Sequence, residues 1–257
     1  MRFLLRKQPF LQRMVLLFLV VATLPCRGNT VHLANGEWPP FQSSRLNHGG
    51  FVSHIVAEAF ASQGVQVEFT YLPWKRGYQQ ARFGALDGTF IWGKTSQREE
   101  SFYFSDAVVG LSTAVFFQSG KKVSWENIPE LGQYRVGGVI GYDYGLSEWE
   151  QSGKINILRL EDLDVALKML VKNRLDVVLA DVEVGLYILR KLGLENKVSI
   201  SEQRFNTDKL FYLLISRQIE AGPELIKAFN KGLIELKQSG QLEALFRANR
   251  NGEYLKK

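Results

Sequence analysis

The chain has 257 residues, 46% of them hydrophobic and 23% charged, with 23 Gly and 7 Pro. That ordinary globular composition excludes wholesale disorder, a collagen-like chain and a coiled coil, and the length holds one large domain or two of about 100–150 residues. The formal charge of +6 is uneven: residues 1–28 carry Arg2, Arg6, Lys7, Arg13 and Arg27 and no acid, and beyond them 27 basic residues face 26 acidic ones. The remainder is nearly neutral and its basic runs, Lys121-Lys122 and Lys256-Lys257, are short, which excludes a nucleic-acid face.

In chain order, a basic stretch from Arg2 to Arg13 precedes the charge-free, almost wholly apolar run Met14–Leu24, which Pro25-Cys26-Arg27-Gly28 breaks. Eleven apolar residues fall short of the ~20 that span a bilayer, so a retained anchor is the weaker alternative. The pattern is that of a secretory signal peptide cleaved near Gly28, which places the protein in the periplasm. Lipoprotein anchoring at Cys26 is disfavoured, since Pro25 is a poor residue before a lipidated Cys. After cleavage no cysteine remains, and the exported chain relies on its core alone.

Val31–Ala34 reads as a strand, followed by the turn-rich segment from Asn35 to Phe41. Ile55, Val56, Ala59 and Phe60 fall at helical spacing, and Gly64 stops that helix. Val65, Val67, Phe69 and Tyr71 alternate as in a half-buried strand. A polar helix around 76–83 and a strand near 88–92 complete β-α-β-α-β, the signature of a parallel sheet with packed helices. The second half repeats the alternation: strands at 112–118, 135–139 and 155–158, a helix on Leu163, Ala166, Leu167, Leu170 and Val171, a strand at 176–180, a helix at 184–192, and a strand at 210–216. Pro223 opens a long amphipathic helix.

Four motifs lie along this pattern. The first is Gly84-Ala85-Leu86-Asp87-Gly88-Thr89-Phe90, then Thr95-Ser96-Gln97-Arg98 and Phe104-Ser105-Asp106. The others are Val136–Gly141, Arg174–Asp181, and Pro223-Glu224-Leu225 through Ser239-Gly240. Together they resemble the family 3 periplasmic solute-binding proteins, the polar-amino-acid receptors of ABC importers. That family's central pattern is G-x-x-D-x-x, a short strand, T-x-x-R and F-S-x-P. The resemblance implies an α/β, two-lobe type II periplasmic-binding-protein fold, each lobe a mainly parallel sheet flanked by helices, joined by two crossover strands. It gives residues 1–28 as signal peptide, 29–110 plus 210–257 as lobe I, and 111–209 as lobe II.

The resemblance also assigns roles. Arg98 matches the arginine that holds a ligand α-carboxylate; a guanidinium offers two parallel charge-assisted donors for that task. The alternative is a surface arginine paired with Glu99 or Glu100. Asp181 matches the aspartate that receives the α-ammonium, or else it simply caps the following helix. Trp38 and Trp74 stand where aromatic residues sandwich the ligand side chain, or else support the core. Arg76 is a second possible anion contact, and Glu37, Trp92 and Tyr142 complete the expected cleft. Where the family carries hydroxyl residues this chain has Ile91, Gly93 and, after Gly141, Tyr142 and Asp143. An additional carboxylate at Asp143 would favour a cationic ligand or cap a helix.

No cofactor is expected. The Gly137, Gly138, Gly141 spacing is not a dinucleotide fingerprint, His32, His48 and His54 lack metal-ligand spacing, and no G-x-S-x-G is present. The expected function is capture of a small polar zwitterion, most simply an amino acid, by a monomer that delivers it to an inner-membrane ABC permease. The alternatives are a ligand-sensing protein acting on a membrane receptor and a dehydratase-like enzyme, because a fold alone does not fix function.

Overall fold

The computed structural model describes residues 29–256. The expected signal peptide and Cys26 lie outside the described residues. The elements are β1 (Asn29–Asn35), α1 (Phe51–Ala61), β2 (Val65–Tyr71), α2 (Trp74–Arg82), β3 (Gly88–Trp92), α3 (Ser96–Glu99) and β4 (Phe102–Gln118). They continue with β5 (Val136–Val139), α4 (Ser147–Gln151), β6 (Ile157–Leu160), α5 (Leu163–Val171), β7 (Val177–Asp181), α6 (Val182–Leu192), β8 (Val198–Ser216), α7 (Gly222–Gln238) and α8 (Gln241–Arg250). No helix among the described residues is long and apolar enough to cross a membrane.

The strands form one eight-stranded sheet in the order β2-β1-β3-β8-β4-β7-β5-β6. Pairing is parallel at each end, β2-β1-β3 on one side and β7-β5-β6 on the other. The antiparallel pair β4–β8 joins the two ends. Both joining strands are far longer than the segments that hydrophobic alternation marks: 17 residues for β4 and 19 for β8. Their ladder shifts register four times between Phe104 and Phe116. Each shift is a bulge or irregularity that locally disrupts pairing, so the regular 2.0 period fades there.

Burial explains the elements that periodicity identifies. On α1, Phe51, Val52, Ile55, Val56, Ala59 and Phe60 are buried on one face, and Phe60 meets Phe229 of α7 with ring centroids 5.2 Å apart. On α5, Leu163, Ala166, Leu167 and Leu170 are buried at the same spacing. The largest core cluster runs through the sheet from Val31 and Leu33 to Val178 and Ala180, and a second surrounds Trp125, Leu131, Tyr144 and Phe205 beneath the β5–β7 end. The last helix, α8, buries only Leu245, too little apolar patterning to announce itself.

Candidate functional site

The turn after β1 is built by its own backbone. Phe41 N–H and Gln42 N–H both donate to the Trp38 carbonyl, and Trp38 N–H donates to Gln42 O at 2.8 Å. Fully buried Phe41 anchors the turn, meeting Trp38 edge-on with ring centroids 4.8 Å apart. Trp74, first residue of α2, rests on Gly36, where a Cβ would come 2.7 Å from the indole. Glycine at 36 therefore permits the ring to lie on the loop.

These residues open onto a cavity of about 1020 Å³ between the two ends of the sheet. Glu37, Trp38, Trp74, Trp92, Arg98 and Tyr142 line it, together with Ile91, Gly93, Lys94, Thr95, Asp143 and the β8 run Lys209–Tyr212. Three of the aromatic residues meet edge to face: Trp92–Trp74 at 5.4 Å and Trp74–Trp38 at 6.4 Å, and Trp38 continues to Phe211 at 5.7 Å. Asp181 lies in an adjoining cavity of about 150 Å³ that shares Trp38, Tyr142, Asp143, Lys209 and Phe211 with the larger one. Arg76 stands apart, exposed on α2 and absent from both linings.

Arg98 sits in the short helix α3, whose N-cap Thr95 accepts from the Arg98 N–H. Its Nη1 donates to Gly93 O at 2.6 Å, and its guanidinium lies 4.8 Å from the Trp92 ring centroid. Glu99 pairs with Lys94 instead, at 2.9 Å. Arg98 therefore has no ion pair among the described residues, and its remaining donors are available to an anion. The two positions where the family carries hydroxyls take part differently: Gly93 holds the guanidinium through its carbonyl, and Ile91 adopts φ 61° at the bulge between β3 and β8. A β-branched residue in the left-handed region is strained backbone at the cavity wall.

Asp181 does cap a helix. Its Oδ1 accepts from the backbone N–H groups of Glu183 and Val184 at 3.0 and 3.2 Å, and its Oδ2 from Ser112 N–H at 3.1 Å. Burial raises its pKa to about 6, against the stabilising bonds from Val184 and Ser112 and with a further push from the Glu183 charge. The cap and the cavity wall are the same carboxyl. Inside α6, Gly185 lets the helix approach β4, since a Cβ there would lie 2.1 Å from the Phe116 ring.

The other carboxyls are engaged. Burial pushes Glu37 up, but hydrogen bonds from Ser43 and Ser44 and the nearby Arg45 outweigh it, so it stays below its ordinary range. Asp143 caps no helix; it accepts from Gly145 N–H at 2.8 Å and pairs with Lys209 at 3.2 Å. Burial raises the pKa of the Tyr142 hydroxyl, and the neighbouring Trp38 side chain partly offsets that rise. No group of three or more metal-ligating side chains occurs among the described residues.

Lys94, Thr95 and Lys209–Tyr212 are the lining residues that the sequence did not reveal. The strand at 210–216 is legible, but alternation alone does not say that its first residues face the cavity.

A family model for bacterial extracellular solute-binding proteins, family 3, matches residues 31–249. No curated protein sequence matches the chain. Among solved structures it is similar to substrate binding domain 2 of GlnP from Lactococcus lactis in an open conformation. Identity there is 16%, the TM-score is 0.70, and 90% of this chain and 97% of that one are covered. It is also similar to the amino acid ABC transporter substrate-binding protein AbpA from Streptococcus pneumoniae bound to L-arginine (18%, TM-score 0.59, 90% and 97% covered). A third is the GluR0 ligand-binding core from Nostoc punctiforme in complex with L-glutamate (19%, TM-score 0.56, 84% and 97% covered). At these identities the structural likeness establishes the fold, which is that of the type II periplasmic binding proteins. With the family model spanning nearly all the described residues, the chain belongs to the bacterial extracellular solute-binding proteins, family 3.

Proposed function

We propose that the protein is a periplasmic receptor that captures an amino acid between two lobes and presents it to an inner-membrane ABC permease. The observation that carries this reading is Arg98: a stacked, oriented guanidinium without an ion pair among the described residues, at the wall of a large aromatic-lined cavity. In the proposed complex Arg98 holds the carboxylate and Asp181 the ammonium. Lobe I comprises residues 29–110 plus 210–257 and lobe II residues 111–209, with β4 and β8 as the crossovers. The bulges along the β4–β8 ladder favour bending there, and ligand contacts made to both lobes would shift the population toward a closed form. Signal cleavage near Gly28 and a monomeric state belong to the same reading.

A thermal-shift screen of refolded, ligand-stripped mature protein against amino acids, organic acids, polyamines and short peptides tests it. A ligand at about 100 times its dissociation constant adds about 2.7 kcal/mol of stability. Silence toward every zwitterion would overturn the receptor reading. One observation favours the enzymatic alternative, the raised carboxyl of Asp181 at a cavity wall. Mass spectrometry of the recovered ligand separates the two, since a receptor returns it unchanged.

A further inference from the structure

Most of the charges lining the cavity already have partners. Among the charged residues lining it, Lys94 pairs with Glu99 at 2.9 Å and Lys209 with Asp143 at 3.2 Å. The Oε1 of Glu37 accepts both the N–H and the hydroxyl of Ser44, at 2.9 and 2.7 Å, which turns that oxygen back toward its own loop. Arg98 is the cation left over. A ligand side chain bearing its own charge would compete with these partners, and an unpaired charge in a closed cleft is costly.

What the lining offers instead is aromatic surface. Trp92, Trp74, Trp38 and Phe211 form a continuous run of near-perpendicular rings, with interplanar angles of 80°, 71° and 68°. All four are only partly buried, and Leu210 beside them is 43% exposed. Partly exposed aromatic rings lining a cleft are the usual wall for an apolar ligand body, and rings gain from offset or edge-on contact with another ring. The volume of about 1020 Å³ is at the top of the usual range for small-molecule clefts, so a bulky body fits.

We infer that the ligand is a carboxylate with an aromatic, uncharged side chain, an aromatic amino acid in the receptor reading, on which this inference rests. Arg98 takes the carboxylate and the Trp92-Trp74-Trp38-Phe211 run takes the ring.

Isothermal titration calorimetry of the ligand-stripped mature protein at pH 7.5 tests this with L-phenylalanine, L-tyrosine and L-tryptophan against L-alanine, L-glutamine, L-glutamate and L-arginine. At least one aromatic amino acid should bind tenfold or more tightly than the other four. In Trp74→Leu and Phe211→Leu that preference should shrink about tenfold. Tighter binding of arginine would show that Glu37 or Asp143 takes a side-chain cation, and tighter binding of glutamate that Lys94 or Lys209 takes an anion. Either result, or a preference for glutamine or alanine, overturns the aromatic class while the receptor reading stands. Failure of all seven to bind, in protein whose folding circular dichroism verifies, overturns both.

Discussion

Glu183 on α6 and Arg250 at the end of α8 form an ion pair, Oε1 to Nη2 at 3.0 Å, that ties the β7 end of the molecule to the C-terminal helices. Asn249 donates to the other oxygen at 2.7 Å, and the glutamate is buried whereas the arginine is half exposed. Glu183→Gln should lower stability by about 1–3 kcal/mol, since Arg250 can turn to water once its partner is neutral. Urea unfolding measures this, and an unchanged midpoint would show that the tie contributes nothing. The substitution also removes a charge that raises Asp181, so the pH midpoint of ligand binding should move down.

Asp181 sets the pH dependence. Its pKa rises from a usual 3.8 to about 6, chiefly through burial, so between these values the unfolded chain releases the proton first. The contribution of this group to ligand-free stability therefore falls as pH rises through that window and levels off above it. With Asp181 as the proposed ammonium acceptor, ligand affinity should run in the opposite direction, because an ammonium needs the anion. At pH 5 only about a tenth of this carboxyl is ionised, so on that proposal amino-acid affinity should be about tenfold weaker than at pH 7.5. Calorimetry at the two pH values checks this; equal affinities would remove the ammonium role, and Asp181→Asn should abolish the difference.

Arg98→Ala should weaken carboxylate binding by about 100-fold or more, the loss of two charge-assisted bonds in a closing cleft. Its unliganded melting temperature should change little, because the side chain gives up one bond to Gly93 O and a stack on partly exposed Trp92. Arg98→Lys should fail to restore affinity, since a lysine can neither stack nor fork. Normal binding by either variant would place the carboxylate elsewhere.

Gly185→Ala tests how the helix that begins at Asp181 is seated. Its Cβ would meet the ring of fully buried Phe116 at 2.1 Å, and forcing the two apart should cost about 1–3 kcal/mol. Differential scanning calorimetry should show a lower melting temperature; an unchanged one would mean that α6 is free to shift away from β4.

The fold was legible where one period dominates. Leu163–Val171 reads as a helix and Val65–Tyr71 and Gly88–Trp92 as strands with the observed bounds, because each has one buried face or a continuous buried run. The crossovers were only half legible, since bulges and changing neighbours along β4 and β8 break the alternation. In the candidate site, Trp38, Trp74 and Arg98 came from the family resemblance and Trp92 from its place at a strand end. Lys209 and Phe211 did not, because they sit mid-strand on the far side of the chain and reach the cavity only through tertiary pairing. Arg76, two residues along the same helix as Trp74, turns to solvent by helical geometry that the linear motif does not express.

Of the five tryptophans in the chain, three stand in the cavity wall, with Trp74 within 6.4 Å of the other two and Trp92 under the Arg98 guanidinium. Trp125 is buried in another cluster and Trp149 packs at its edge. Most of the indoles that can report by fluorescence thus stand in the cleft. The protein carries its own optical reporter, and the arrival of any guest that displaces solvent from those indoles can be followed in real time without a label.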